Sequence, residues 1–291
     1  MAVLQLTIAG IATGCIYALI ALGFVLIYKA TEVVNFAQGD LMMLGAFVAF
    51  TFSSIWGWPF WAAVLAAIAV MTLFGAAFDR FLLRPIAGQP AFAAVMVTIG
   101  AGFAMRGIAS MIPGWGTDTH ALRTPYSDGA FRFGGLVIAA NEIAIIAMTS
   151  LLCLVLWLFF KRTRIGIAMQ ASSQNQLAAY YMGIPVRRIN TLIWGISAGV
   201  AAFAAVLLAP THFVHTLLGF AGLKAFPAAV VGGFGSIPGA IVGGLIIGLV
   251  EAYSGFFFEE GWKDIAPYLV VLIVLVIRPS GIFSEMRRKK V

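Results

Sequence analysis

The sequence predicts an all-α, polytopic membrane protein. Of its 291 residues, 62% are hydrophobic and only 10% are charged, whereas a soluble domain carries about 25% charged residues. The mean hydropathy is +1.02, and the apolar residues are gathered into runs long enough for transmembrane helices. This composition excludes an ordinary soluble enzyme, a disordered chain and, despite a net charge of +7, a nucleic-acid binder.

The apolar runs predict about eight full transmembrane helices and one broken or re-entrant element, because a span needs about 20 residues. The runs cover residues 5–28, 41–56, 60–78, 91–112, 136–160, 189–209, 238–257 and 266–277. The broken element is expected over 211–233, where Pro227 removes a backbone donor and glycines flank it. Such short connections leave no room for a soluble domain, so residues 1–291 are expected to form a single membrane domain.

The basic residues predict the orientation. Of 18 Lys and Arg residues, 13 lie in alternate loops and at the C-terminus. They are Lys29, Arg80, Arg84, Lys161, Arg162, Arg164, Arg187, Arg188, Arg278, Arg287, Arg288, Lys289 and Lys290. Only Arg123, Arg132 and Lys263 lie in the other loops. Because cytoplasmic loops are enriched in Lys and Arg, the N-terminus is expected outside and the C-terminus in the cytoplasm.

Two connections are longer than turns. Residues 113–135 are predicted to be external and to form a small lid or docking surface. Residues 161–188 are predicted to be cytoplasmic, with a helix over 167–182 that ends at Gly183, because a glycine followed by Pro185 is typical of a helix stop. This helix either contacts a partner protein or packs on its own bundle as an ordinary interfacial helix.

The segment Asn35–Asp40, NFAQGD, places polar side chains beside apolar helices. Asp40 is expected to cap a helix that starts at Leu41. Polar groups at such a position either line a pathway or bond the exposed backbone of a helix break. Thr98 offers a hydroxyl group near mid-membrane, although it can also bond the backbone of its own helix.

Residues 232–248, GGFGSIPGAIVGGLIIG, form a glycine-rich block. Gly235, Gly239 and Gly243 recur every four residues, which lets another helix approach closely. Packing is one interpretation, and a moving or pathway-lining surface is the other.

Arg106 and Glu251 are isolated ionisable residues within apolar runs, each either structural or in contact with a solute. Cys15 and Cys153 are expected to be buried free thiols.

No lysine follows a glycine, so the chain contains no Walker A motif and no P-loop ATPase of its own.

Three segments together resemble the permease subunits of bacterial ABC importers for branched-chain amino acids, of the H-subunit type. Gly14–Phe47 is similar to the first span of that family and its NFA-[HQ]-G-[DE] signature, and Gly222–Glu251 to its glycine-rich block. Ala178-Ala179 with Gly183-Ile184 fits the A-A-x-x-x-G-I segment that contacts the ATPase. Short markers at Arg84-Pro85 and 278–281 add to the likeness.

The resemblance implies half of a translocation pathway in the bacterial inner membrane. The implied partners are a sister permease subunit, two cytoplasmic ATPases that bind ATP and Mg, and a periplasmic solute-binding protein, so no cofactor is expected on this chain. The implied pathway residues are Asn35, Gln38, Asp40, Thr98, Gly232, Gly233, Gly235, Gly239 and Gly243. The implied coupling residues are Gln170, Gln174, Leu177, Ala178, Ala179, Tyr181, Met182, Gly183 and Ile184.

Two other functions remain open at this point. An ion-coupled secondary transporter needs coupling carboxylates at the midplane, and no convincing pair is present in the sequence. An intramembrane enzyme needs a converging acid, base and nucleophile, and Ser236 has no histidine near it in sequence.

Overall fold

The computed structural model describes residues 2–126, 129–133 and 136–283, and the predicted cytoplasmic residues Arg287, Arg288, Lys289 and Lys290 lie outside it. Most of the described chain is helical. The helices are α1 Ala2–Thr31, α2 Gln38–Phe50, α3 Phe60–Phe78, α4 Ala91–Met111, α5 Ala140–Arg162, α6 Arg164–Gln174, α7 Gln176–Tyr181, α8 Val186–His212, α9 Leu218–Leu223, α10 Phe226–Gly232, α11 Ile237–Phe257 and α12 Trp262–Ile277.

Seven of the described helices are long and apolar enough to cross a membrane. Helix α2 reaches this length only with the wider helical turns at Thr51–Ile55. Similar turns at Asp79–Leu83 extend α3, which is already long enough. The predicted run 266–277 corresponds to α12, which has only 16 residues. The predicted count of about eight full-length helices is therefore not confirmed.

The predicted break within 211–233 is present. Two short helices, α9 and α10, replace one continuous span, and α10 begins at Phe226 with Pro227 in its first turn. Proline fits there because the N–H groups of the first helical turn have no carbonyl acceptor within the helix, so the missing N–H of proline breaks no hydrogen bond.

A small hairpin departs from the predicted all-α fold. Strand β1, Ala130–Phe133, pairs antiparallel with β2, Leu136–Ala139. The run predicted over 136–160 therefore begins as a strand, and its helical part starts at Ala140. The long connection between α4 and α5 is joined to the bundle by paired backbone hydrogen bonds between His120 and Val214, of 2.9 and 2.8 Å.

The centre of the bundle consists of α1, α2 and α8, whose side chains are largely buried. Helix α1 packs mainly on α11, where Gly244 faces Ala18: a Cβ added to Gly244 would lie 2.5 Å from the Ala18 Cα. Glycine is required at this crossing because the two backbones approach too closely for any side chain.

One end of the bundle gathers basic loops, and we call it the basic end. Gln176 on α7 donates a hydrogen bond of 2.5 Å to the carbonyl of Ala30, near the end of α1. Arg84 lies near the carbonyl of Arg187, at the start of α8. The predicted grouping of the loops that carry Lys29, Arg84 and Arg187 agrees with these contacts.

Candidate functional site

Helix α2 begins inside the bundle. Gln38, its first residue, lies against Gly23 and the Ser197 side chain. Gly23 is about 12 Å from the end of α1 by helical rise. Asn35 closes the turn before the helix, because its Oδ1 accepts a hydrogen bond of 3.1 Å from the Ala37 N–H. The irregular backbone is sheltered by protein, as is required at membrane depth.

The prediction that Asp40 caps a helix starting at Leu41 was wrong. The helix begins at Gln38 after Ala37, and Asp40 is its third residue. Asn35 provides the local turn bond instead, which leaves the Asp40 carboxylate available for a contact with another helix.

The amide of Gln38 lies at the centre of a buried polar cluster. Its Oε1 accepts from Asn35 Nδ2 at 3.1 Å and lies 3.2 Å from Ser197 Oγ, whereas its Nε2 has no hydrogen-bond partner among the described residues. Thr98 Oγ1 donates to the Val95 carbonyl at 2.8 Å and accepts from the Phe36 N–H at 3.3 Å. Ser197 was missed by the sequence analysis, although a lone hydroxyl in an apolar run was a usable signal.

Asp40 forms an ion pair with Arg106 of α4. Arg106 Nε donates to Asp40 Oδ1 at 2.5 Å, and both side chains are largely buried. The guanidinium carbon also lies 3.9 Å from the centre of the Phe220 ring on α9. Of the two roles considered for Arg106, structural or in contact with a solute, these contacts with a carboxylate and an aromatic face favour the structural one.

The four polar residues predicted to line a pathway thus come together, but they are closed off in this chain. Asn35, Gln38 and Thr98 are 0% exposed and Asp40 is 3% exposed. The cluster connects α2 to α1, α4 and α8. Its role in translocation stays a prediction.

The glycine block packs α10 on α11. A Cβ on Gly243 would lie 2.8 Å from the Gly232 nitrogen, and one on Gly239 would lie 3.0 Å from the Gly232 carbonyl carbon. Gly233 ends α10 with a φ of 94°. The packing interpretation fits these residues, whereas Gly235 is exposed and borders a cavity.

This cavity lies at the basic end and has a volume of about 1280 Å³. It lies between the ends of α1 and α5, the start of α11 and the segment after α12. Gln170 and Gln174 of the predicted coupling segment lie at its border.

The predicted single helix over 167–182 was wrong, because the chain breaks at Asn175. Asn175 has an extended backbone, with a φ of −155°, and its side chain caps α7 by accepting a hydrogen bond of 3.0 Å from the Ala178 N–H. Asparagine competes for backbone hydrogen bonds in this way, which favours caps over helix interiors. The predicted stop at Gly183 is confirmed by its φ of 81°.

Most of the predicted coupling residues lie on an exposed surface. Leu177 is 63% exposed, Tyr181 77% and Met182 82%. Gln170, Gln174, Ala178 and Gly183 are also exposed, Ile184 is half-buried and Ala179 is buried. Clustered apolar side chains in water are typical of a protein interaction site.

Two polar links lie at the basic end, and one of them joins this surface to the bundle. One is the hydrogen bond from Gln176 to Ala30 described above. The other joins the end of α3 to the start of α8, where Arg84 donates to Thr191 Oγ1 at 2.8 Å and Thr191 donates to Asp79 Oδ2 at 2.5 Å. Neither link was predicted from the sequence, since each joins residues that are distant in the chain.

The remaining predicted residues are Glu251 and the two cysteines. Glu251 of α11 accepts a hydrogen bond of 2.5 Å from Tyr17 of α1. Cys15 is a buried free thiol and Cys153 a half-buried one.

Comparison with known proteins gives the family. The model of the family described as branched-chain amino acid transport system / permease component matches residues 6–275. The chain is 34% identical over 304 residues to the high-affinity branched-chain amino acid transport system permease protein BraD of Pseudomonas aeruginosa, a match that covers 99% of this chain and 98% of that protein. It is 32% identical to LivH of Escherichia coli K12, with 99% and 97% covered.

A more distant relative is the probable branched-chain amino acid transport permease protein LivH of Methanocaldococcus jannaschii, at 27% identity over 91% of this chain and 87% of that protein. Because the family model and two relatives above 30% identity span nearly the whole chain, the chain belongs to the branched-chain amino acid transport system permease family.

Proposed function

We propose that this chain is a transmembrane permease subunit of an ABC importer for branched-chain amino acids or related small organic solutes, located as a multi-pass protein in the bacterial inner membrane. The relatives named above are permeases of branched-chain amino acid transport systems. The observation that carries the proposal is the exposed apolar surface of Leu177, Tyr181 and Met182, which lies outside the bundle and is joined to it by Gln176.

The proposed assembly contains two permease subunits, this one and a sister subunit, whose shared surface encloses the pathway. Two cytoplasmic ATPases bind ATP and Mg, while a periplasmic binding protein delivers the solute. In this arrangement the chain catalyses no reaction itself. The proposal places the basic end and the C-terminus in the cytoplasm and the N-terminus outside, following the bias of Lys and Arg.

In the proposed mechanism, residues 161–188 act as the coupling loop. ATP-driven closure of the ATPases presses on α6 and α7, and Gln176 and Thr191 transmit the movement to α1, α3 and α8. The bundle then rocks around the pathway residues Asn35, Gln38, Asp40 and Thr98 and the backbone of Gly232–Gly243. Residues 113–135 face the periplasm and contact the binding protein.

A double substitution tests the docking surface. Tyr181→Asp with Met182→Asp should abolish co-purification of the ATPase subunits, because two charges cannot be buried in an apolar interface without compensation. Leu217→Asp is the matched control, since Leu217 is also exposed, at 59%, but lies between α8 and α9, away from the basic end. If the double variant retained the ATPases as the wild type does, the coupling surface would be misassigned.

Uptake into proteoliposomes tests the energy source. Leucine uptake by the assembled complex should require ATP and persist when the proton gradient is collapsed. Uptake driven by the gradient alone would instead support an ion-coupled secondary transporter.

A further inference from the structure

The cavity at the basic end has apolar walls and a charged rim. Its walls are formed by side chains of α1, α5, α11 and α12: Leu22, Leu26, Leu156, Phe160, Ile241 and Leu275. The charged side chains at the cavity are Lys29, Glu32 and Lys161, which leave a net positive charge. Lys161 Nζ lies 4.6 Å from the centre of the Trp157 ring.

The cavity runs along the helices rather than across them. Its lining on α5 extends from Cys153 to Lys161, about 12 Å by helical rise. That depth is most of one leaflet, because the hydrocarbon core of a bilayer is about 30 Å thick. The lysines are gathered at one end of this apolar slot, so the slot has a charged end and an apolar end, as a phospholipid has.

We propose that this cavity binds an anionic phospholipid of the cytoplasmic leaflet. One or both acyl chains fill the slot between α1 and α5, and the phosphate lies between Lys29 and Lys161. Basic pockets between transmembrane helices on the cytoplasmic side bind anionic headgroups in this way. The inference depends on the proposed orientation of the basic end, but not on the transported solute.

Two other occupants fit less well. A small zwitterionic solute would leave most of a volume of about 1280 Å³ and its apolar walls unfilled. The second occupant considered is the C-terminal segment, residues 284–291, which carries Arg287, Arg288, Lys289 and Lys290. Lys29 and Lys161 at the rim have the same sign of charge and would repel it.

Native mass spectrometry of the purified transporter complex tests the proposal. After exchange into detergent, the complex is titrated with phosphatidylglycerol or with phosphatidylcholine of the same acyl chains. Phosphatidylglycerol should bind more tightly, and Lys29→Gln with Lys161→Gln should weaken it about 25-fold, since each lysine near an anionic headgroup contributes about five-fold in affinity. Lys263→Gln, at the start of α12 and away from the cavity, should leave the affinity unchanged.

A second variant and two competitors complete the test. Leu156→Trp keeps both lysines but fills the slot, and it should also lower phosphatidylglycerol binding. The proposal would be overturned if the wild type bound both lipids equally. It would also be overturned if glycerol phosphate alone competed as well as the whole lipid, or if leucine displaced the lipid. These measurements need neither ATP nor uptake, so their failure is distinguishable from failure of the proposed transport function.

Discussion

Arg106 Nε lies 2.5 Å from Asp40 Oδ1, and this contact joins two helices through residues 66 positions apart. Asp40 is in the first turn of α2, which begins inside the bundle, and Arg106 comes from α4. Phe220 of α9 covers the guanidinium at 3.9 Å. The pair therefore fixes the position of a short helix whose own N-terminus lacks a side-chain cap.

Breaking this pair on one side should be costly. Asp40→Asn should lower the free energy of unfolding of the complex by about 3–5 kcal/mol, because it leaves a buried guanidinium without its counterion. Asp40→Asn combined with Arg106→Gln should recover much of the loss, since two neutral amides can bond each other. Thermal denaturation of the detergent-solubilised complex measures both.

Arg123→Gln is the control, since Arg123 is an exposed loop arginine. Arg106→Gln alone completes the cycle. If the double variant lost as much stability as the sum of Asp40→Asn and Arg106→Gln alone, the two residues would not be coupled and the ion pair would not hold α2 in place.

The polar cluster shows how far the sequence leads. The motif identified Asn35, Gln38 and Asp40, and the apolar surroundings of Thr98 and Arg106 marked them as unusual. Their mutual contacts could not be predicted, because they depend on the rotation of each helix about its axis, which tertiary packing decides. That packing also turned the expected cap, Asp40, into one half of an ion pair.

The coupling segment shows a second limit. Helix propensity over residues 167–182 favoured one helix, because alanine, glutamine and methionine are good helix formers. The hydrogen bond from the Ala178 N–H to the side chain of Asn175 outweighed that local preference for one helix. The stop at Gly183 was predictable because the local chemistry of glycine alone decides it.

Gly244 at the contact between α1 and α11 and Gly100 on the surface of α4 should respond differently to substitution by alanine. Gly244→Ala should destabilise the complex by about 1–3 kcal/mol, because the new methyl group overpacks a close crossing. Its Cβ would lie 2.5 Å from the Ala18 Cα. Gly100→Ala on α4 should be neutral or slightly stabilising, since no atom lies within 4 Å of the added carbon. Thermal denaturation of both variants makes the comparison, and equal effects would contradict it.

The bond from Gln176 to the Ala30 carbonyl should affect coupling more than assembly. Gln176→Leu removes a hydrogen bond with a typical net value of about 0.5–1.5 kcal/mol. We expect ATP-driven uptake to fall about two- to ten-fold while the ATPase subunits still co-purify. The measurement is the ratio of solute transported to ATP hydrolysed in proteoliposomes.

Gln89→Leu provides the control for that variant, because Gln89 is an exposed glutamine in another loop, between α3 and α4. An unchanged transport ratio for Gln176→Leu would exclude this bond from the coupling route.

Gly183 allows the shape of the coupling loop to be separated from its chemistry. Its φ is 81°, and no atom lies within 4 Å of the position that a Cβ would take, so a substitution strains the backbone without a clash. Gly183→Ala should therefore destabilise the turn by about 1–2 kcal/mol and reduce ATP-coupled uptake. Asparagine tolerates the left-handed conformation better than alanine, so Gly183→Asn should retain more activity.

Gly183→Trp should be the most harmful of the three, because it adds bulk beside the exposed Met182 in the proposed ATPase interface. Uptake assays on the assembled complex would rank the variants, and equal activity of the alanine and asparagine variants would show that the backbone conformation of Gly183 does not control coupling.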